Sequence, residues 1–157
     1  MKNKRNKGFT LIEVIIYTAL FSLLIGTAFV SAFQLIDGSG KLSAKTVTEA
    51  EGNFVLRKIN WALTGVKTIT TPSIGTAHNL VVTKYDNNQI DIQLVGTKIE
   101  IRESDNGNAF IPITTDNVEV SSLDFEYIPA SGSGPAGIAA TAIMNGTTFT
   151  ITKYLRK

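Results

Sequence analysis

A chain of 157 residues has room for one ordinary domain, and its 43% hydrophobic and 18% charged residues are the composition of a folding chain, not a disordered one. The absence of Cys excludes disulfides, thiolate catalysis and Cys-ligated zinc, and the single His, His78, excludes any site that needs two imidazoles. Lys and Arg, 15 together, nearly balance the 13 Asp and Glu, too even a count for a nucleic-acid binder judged by bulk charge.

The chain opens on a basic tag. Lys2, Lys4, Arg5 and Lys7 fall within residues 1–8, so residues 9–157 are slightly acidic. From Val14 to Ile36 no residue carries a charge, and Val, Ile, Leu and Phe dominate the run. At ~1.5 Å per residue a helix of that length spans roughly 35 Å, enough for a hydrocarbon core of ~30 Å. At ~0.3–0.6 kcal/mol for each large apolar residue near the membrane centre, insertion is favoured by roughly 4–8 kcal/mol before the polar residues are counted against it. Basic residues ahead of the segment place the N-terminus in the cytoplasm and the C-terminal part outside.

Asp37-Gly38-Ser39-Gly40 ends the apolar run, and its two glycines cost roughly 1 kcal/mol each inside a helix. A kink or short break is expected there, although nothing forbids one long helix, because no Pro precedes Pro72. Residues 37–66 return to a helical period as an amphipathic segment. Leu56, Ile59, Leu63 and Val66 recur at the spacing of one helix face.

From residue 67 the period becomes two. Ile90, Ile92 and Leu94 alternate with polar residues, as do Ile99 and Ile101, then Val118 and Val120. Leu123, Phe125 and Tyr127 alternate on the opposite parity, so Ser121-Ser122 marks a β-bulge or a strand boundary. Phe149 and Ile151 alternate in a Thr-rich final strand. Turn signals separate these runs at Asp86-Asn87-Asn88, Gly96-Thr97, Asp105-Asn106-Gly107-Asn108 and Asn145-Gly146. Short, closely spaced strands predict an antiparallel sheet over 67–157, one face of which the amphipathic helix covers. Residues 129–137 (PASGSGPAG) read as a surface loop.

One motif carries specific information: Lys7-Gly8-Phe9-Thr10-Leu11-Ile12-Glu13, between the basic tag and the apolar run. It resembles the prepilin processing signal of type IV pilins and of the pseudopilins of type II secretion systems. The resemblance implies an α+β, pilin-like fold: a long N-terminal helix, transmembrane over 9–36 and amphipathic over 37–66, packed on a C-terminal antiparallel sheet. It also implies that residues 1–8 are a leader removed by a prepilin peptidase, which cuts between Gly8 and Phe9 and methylates the new amine of Phe9. Gly before the cut leaves no side chain in the protease's way, and removing the leader deletes four charges that hold the N-terminus at the headgroups. Glu13, a carboxylate at the head of a membrane helix, is by the same resemblance the residue that pairs with the terminal amine of a neighbouring subunit in a filament. Its plainer reading is an interfacial charge favoured by its own helix N-terminus.

Residues 54–63, 118–127 and 149–156 are loosely similar to segments of minor pilins and of the J-type pseudopilin. The absence of a mid-helix proline and of a C-terminal disulfide also leans toward a minor subunit or pseudopilin. The implied function is structural, in assembly of a type IV pilus-like or type II secretion fibre. The implied partners are sibling pilins, the prepilin peptidase, the lipid bilayer and, indirectly, an inner-membrane platform and its ATPase. The competing reading is a secreted or anchored β-domain with a conventional signal cleaved after Ala32, since Val30-Ser31-Ala32 fits the small-residue preference of that cleavage. Asp86-Asn87-Asn88 and Asp105-Asn106-Gly107-Asn108 offer oxygen ligands, but turn chemistry explains the same residues. His78 reads as a loop residue. No nucleophile–base pair or phosphate loop is present, so neither an enzyme nor a cofactor is expected.

Overall fold

The computed structural model describes residues 8–132 and 134–155. The chain divides into two compact units, Met1–Ala44 and Lys45–Lys157. One helix, α1 (Leu11–Ala62), contributes to both.

In the first unit, α1 begins at Leu11 and is unbroken at Gly38 and Gly40, where the sequence predicts a break over 37–40. No Pro removes a backbone bond here, and helix propagation adds one bond per residue once a nucleus exists. Lys41 and Asp37, one turn apart, form an ion pair at 2.8 Å that brackets both glycines. The glycines thus weaken the helix locally without ending it.

In the second unit, α1 stops at Ala62, four residues short of the predicted end at 66. Leu63 and Thr64 still donate to Ile59 and Trp61, at 2.9 and 3.1 Å, and Gly65 then turns the chain at φ +70°. A left-handed glycine just past the last turn is the usual way to end a helix, and Val66 starts the first strand. The buried stripe of the helix is Thr48, Gly52, Val55, Ile59 and Ala62, continued by Leu63. Ile59, Leu63 and Val66 are buried as the periodicity indicates, whereas Leu56 is only half-buried at the stripe's edge. Small and polar residues at 48, 52 and 62 hide the true centre of that face.

Among the described residues the rest of the second unit is built from nine strands: β1 (Val66–Thr71), β2 (Thr76–Ala77), β3 (Asn79–Lys84), β4 (Gln89–Val95), β5 (Lys98–Glu103), β6 (Phe110–Pro112), β7 (Val120–Ile128), β8 (Gly137–Met144) and β9 (Thr147–Tyr154). They form two antiparallel sheets rather than one, in the orders β1-β3-β4-β5-β6 and β2-β7-β8-β9. Strand β7 lies against β3, β4 and β5 and so joins the sheets. The core lies between them and the helix: Leu80, Val82, Ile90, Ile92 and Ile99 from the first sheet, Leu123, Phe125, Ile138 and Met144 from the second, and Val55 and Ile59 from α1. The phase change at Ser121 is a bulge inside one strand, between Val120 and Ser122. Gly96, at φ +61°, opens the two-residue β4–β5 turn, and Asn145-Gly146, both at positive φ, close the β8–β9 hairpin.

Candidate processing and assembly site

Gly8 and Phe9 precede the first helical turn in exposed chain, and a Cβ on Gly8 would meet nothing within 4 Å. The leader residues Lys2, Lys4, Arg5 and Lys7 lie outside the described residues.

Thr10 is the N-cap of α1: its carbonyl accepts from Glu13 N and Val14 N at 3.1 and 3.3 Å. Glu13 stands three residues on, and its Oε2 lies 3.5 Å from the Thr10 amide, the reciprocal half of a capping box. Tyr17, one turn further, places its hydroxyl 3.5 Å from Glu13 Oε1. Both contacts are at the outer limit of hydrogen bonding, so the carboxylate is loosely held by its own helix and can still accept a stronger donor. Sequence reasoning misses this box. Its signal, Thr-x-x-Glu ahead of an apolar run, is present, but the processing motif claims the same residues and masks it.

Beyond Glu13 the helix is long and apolar enough to cross a membrane, and none of its most apolar stretch is buried by the rest of the protein. Its hydroxyl groups would be costly in hydrocarbon if unpaired. Each of four bonds back to its own helix instead: Thr18 to Val14 O (2.7 Å), Ser22 to Thr18 O (2.8 Å), Thr27 to Leu24 O (2.9 Å) and Ser31 to Thr27 O (3.0 Å). Ala32, the alternative cleavage position, lies inside this helix.

The weaker candidates are accounted for by local bonding. Asp86 Oδ1 accepts from Asn88 N at 2.9 Å, and Asn88 Oδ1 accepts from Ser104 Oγ and Asp105 N, so the loop oxygens serve turns. Among the described residues no group of three or more His, Asp or Glu side chains is placed to hold a metal ion. His78 is exposed, with Nδ1 2.7 Å from Asp124 Oδ1. Ser122 donates to the other oxygen of Asp124, at 2.5 Å, not to the imidazole, so no activated nucleophile results.

Residues 3–29 match the family model described as the prokaryotic N-terminal methylation motif. That match takes in most of the basic N-terminal tag, Gly8, Phe9, Glu13 and the head of the apolar helix, and it supports a type IV pilin-like prepilin signal. No curated protein and no solved structure matches the chain. The class defined by motif and fold together is therefore a pilin-like α+β chain bearing an N-terminal methylation signal, consistent with anchoring in the inner membrane.

Proposed function

We propose that the chain is a structural subunit, a minor pilin or pseudopilin, cleaved between Gly8 and Phe9, methylated on Phe9 and assembled into a type IV pilus-like or type II secretion fibre. The observation that carries this reading is the methylation motif over residues 3–29, which runs into an apolar helix whose most apolar stretch is unburied. The N-terminus faces the cytoplasm before processing, and residues 67–157 lie outside. Sibling pilins, the prepilin peptidase and, indirectly, the assembly platform and its ATPase are the partners. In the fibre, Glu13 pairs with the terminal amine of a neighbour. The loose hold of Thr10 and Tyr17 on its carboxylate supports that role.

Mass spectrometry of the membrane-extracted protein tests the processing step. Loss of residues 1–8 with a methylated Phe9 is expected, and Gly8→Leu should retain the leader. A mature chain that begins at Phe33 overturns the reading in favour of a conventional signal.

A further inference from the structure

The two sheets have four edge strands, and three of them are protected against further pairing. β2 has 2 residues, β6 has 3 and ends in Pro112, and β1 carries two register shifts before Pro72. β9 has none of these devices. It runs for 8 residues, pairs with β8 from Thr147 to Tyr154 without a bulge, and has no neighbour on its other side among the described residues. Leu155 N donates to Ala136 O at 2.8 Å, so the hydrogen-bonded pairs of this hairpin fall there and at every second residue back along β9. The intervening Thr148, Thr150, Thr152 and Tyr154, all exposed, therefore turn their main-chain N–H and C=O groups outward. Such a row is a template for another strand.

The side chains along this edge specify what fits it. One face carries Thr148, Thr150 and Thr152, which suit β-branched neighbours. On the other face Phe149 and Ile151 are half-buried against the core, and Lys153 follows them. Lys153 is the one charged residue of β9 and has no carboxylate partner among the described residues. It also lines a cleft of about 650 Å³, with Leu63 and Val66, where β9 ends beside the end of α1. A second copy of β9 suits this edge poorly. Antiparallel self-pairing leaves both Lys153 ammonium groups without an anion. It also points the two α1 helices in opposite directions, because α1 runs with β9: Asn145 Nδ2 donates to Thr48 Oγ1 at 2.9 Å ahead of the strand, and Gly52 faces Phe149 within it. Copies anchored side by side in one membrane do not pair in that way.

We infer that the open edge of β9 accepts an extended segment of a different polypeptide as an added antiparallel strand, with an acidic residue opposite Lys153 and apolar residues opposite Ile151 and Phe149. Main-chain hydrogen bonds supply the attachment, and the alternate side chains supply the selection. The edge lies wholly in the second unit, so its test is separate from that of processing.

The probe is a blocked, fluorescently labelled peptide, Thr-Glu-Thr-Val-Thr-Ile-Thr. Its glutamate falls opposite Lys153, and its valine and isoleucine fall opposite Ile151 and Phe149. Anisotropy of this peptide titrated with the full chain in detergent should show saturable binding. N-methylation of its third and fifth residues, whose N–H groups face Thr152 and Thr150, should weaken binding roughly tenfold or more. N-methylation of the fourth and sixth, whose N–H groups point away, should leave it unchanged. Thr150→Pro removes an outward N–H that the β8 ladder does not use, and should weaken binding similarly while urea unfolding stays nearly the same. Lys153→Glu should weaken binding roughly 3- to 10-fold, and a peptide with lysine in second place should restore it. Absence of saturable binding overturns the inference, as does an equal response to the two N-methylation patterns. Binding indifferent to the charge in second place overturns it too. A full-length dimer that Thr150→Pro dissociates also overturns it, and assigns the edge to a second copy.

Discussion

At Gly52 the helix lies close against the sheet, and this allows a sharp test of their packing. A Cβ at this position would lie 2.4 Å from Cε1 and Cζ and 2.6 Å from Cδ1 of Phe149 on β9, well inside contact distance. Two opposing effects then act on Gly52→Ala. Replacing Gly by Ala within a helix favours folding by about 1 kcal/mol. Forcing a methyl into an occupied site typically costs about 1–3 kcal/mol, limited here because the clash is with the outer edge of a half-buried ring that can swing. The net expectation is a loss of about 0–2 kcal/mol. In a Phe149→Ala background the clash is gone and the same substitution should stabilise by about 1 kcal/mol. The coupling between the two sites is therefore about 1–3 kcal/mol. Urea unfolding of the four full-length variants in detergent, followed by Trp61 emission, measures it. Equal stabilisation by Gly52→Ala in both backgrounds would refute the packing of α1 against β9.

Other perturbations probe other parts of the structure. Ile59→Ala should cost about 2–5 kcal/mol and Leu56→Ala clearly less, since Ile59 is fully buried and Leu56 only half; equal costs in urea unfolding would return the helix face to the one the periodicity suggests. Arg102 Nη2 lies 2.8 Å from Asp91 Oδ2, and the other oxygen of this buried carboxylate has no partner. Arg102→Met should therefore cost about 3–5 kcal/mol, with much of it restored by adding Asp91→Leu; a single-variant cost under about 1 kcal/mol counts against a desolvated pair. The Lys98 ammonium, by hydrogen bond and charge, holds the Asp116 carboxyl below its ordinary range. A depressed carboxyl favours the folded state above its unfolded value of about 3.9, and the contribution disappears as pH falls through the folded value. NMR titration should thus show Asp116 protonating at lower pH in the wild type than in Lys98→Met, and coincident curves would dismiss the pair. Glu13→Ala and Glu13→Gln should both insert and be cleaved, yet enter sheared fibres one hundredfold or more less than wild type at matched membrane levels, as about 3–5 kcal/mol for an unpaired buried amine requires; equal incorporation of all three removes intersubunit pairing.

The N-terminal third is legible because its environment is uniform. Val14–Ile36 is uncharged and apolar on every side, as a segment suited to lipid must be, so it announces itself without reference to any other part of the chain. The strands with strict alternation, β4, β5 and β7, are equally plain, although the phase change at Ser121-Ser122 fits a bulge or a strand boundary in sequence and only the fold makes it a bulge. Strands β3 and β8 are not. Leu80-Val81-Val82 is apolar on both faces, which erases the period, and the buried face of β8 is built partly from Ala140 and Ala142, which carry too little hydrophobicity to stand out from Ala139. The division into two sheets is hidden for a related reason: alternation says that a residue faces a core, not which sheet shares it.

The same distinction separates the motif at the head of the helix from the charges of the second unit. The methylation motif is contiguous: Gly8-Phe9-Thr10-Leu11-Ile12-Glu13 is one stretch of chain and is legible without the fold. Charge counted along the chain, by contrast, cannot separate Lys58 and Lys84, which lie over Trp61, from Lys98 or Arg102, which the fold neutralises with Asp116 and Asp91. The physical quantity that distinguishes them is the presence of a partner, and only the folded chain supplies it.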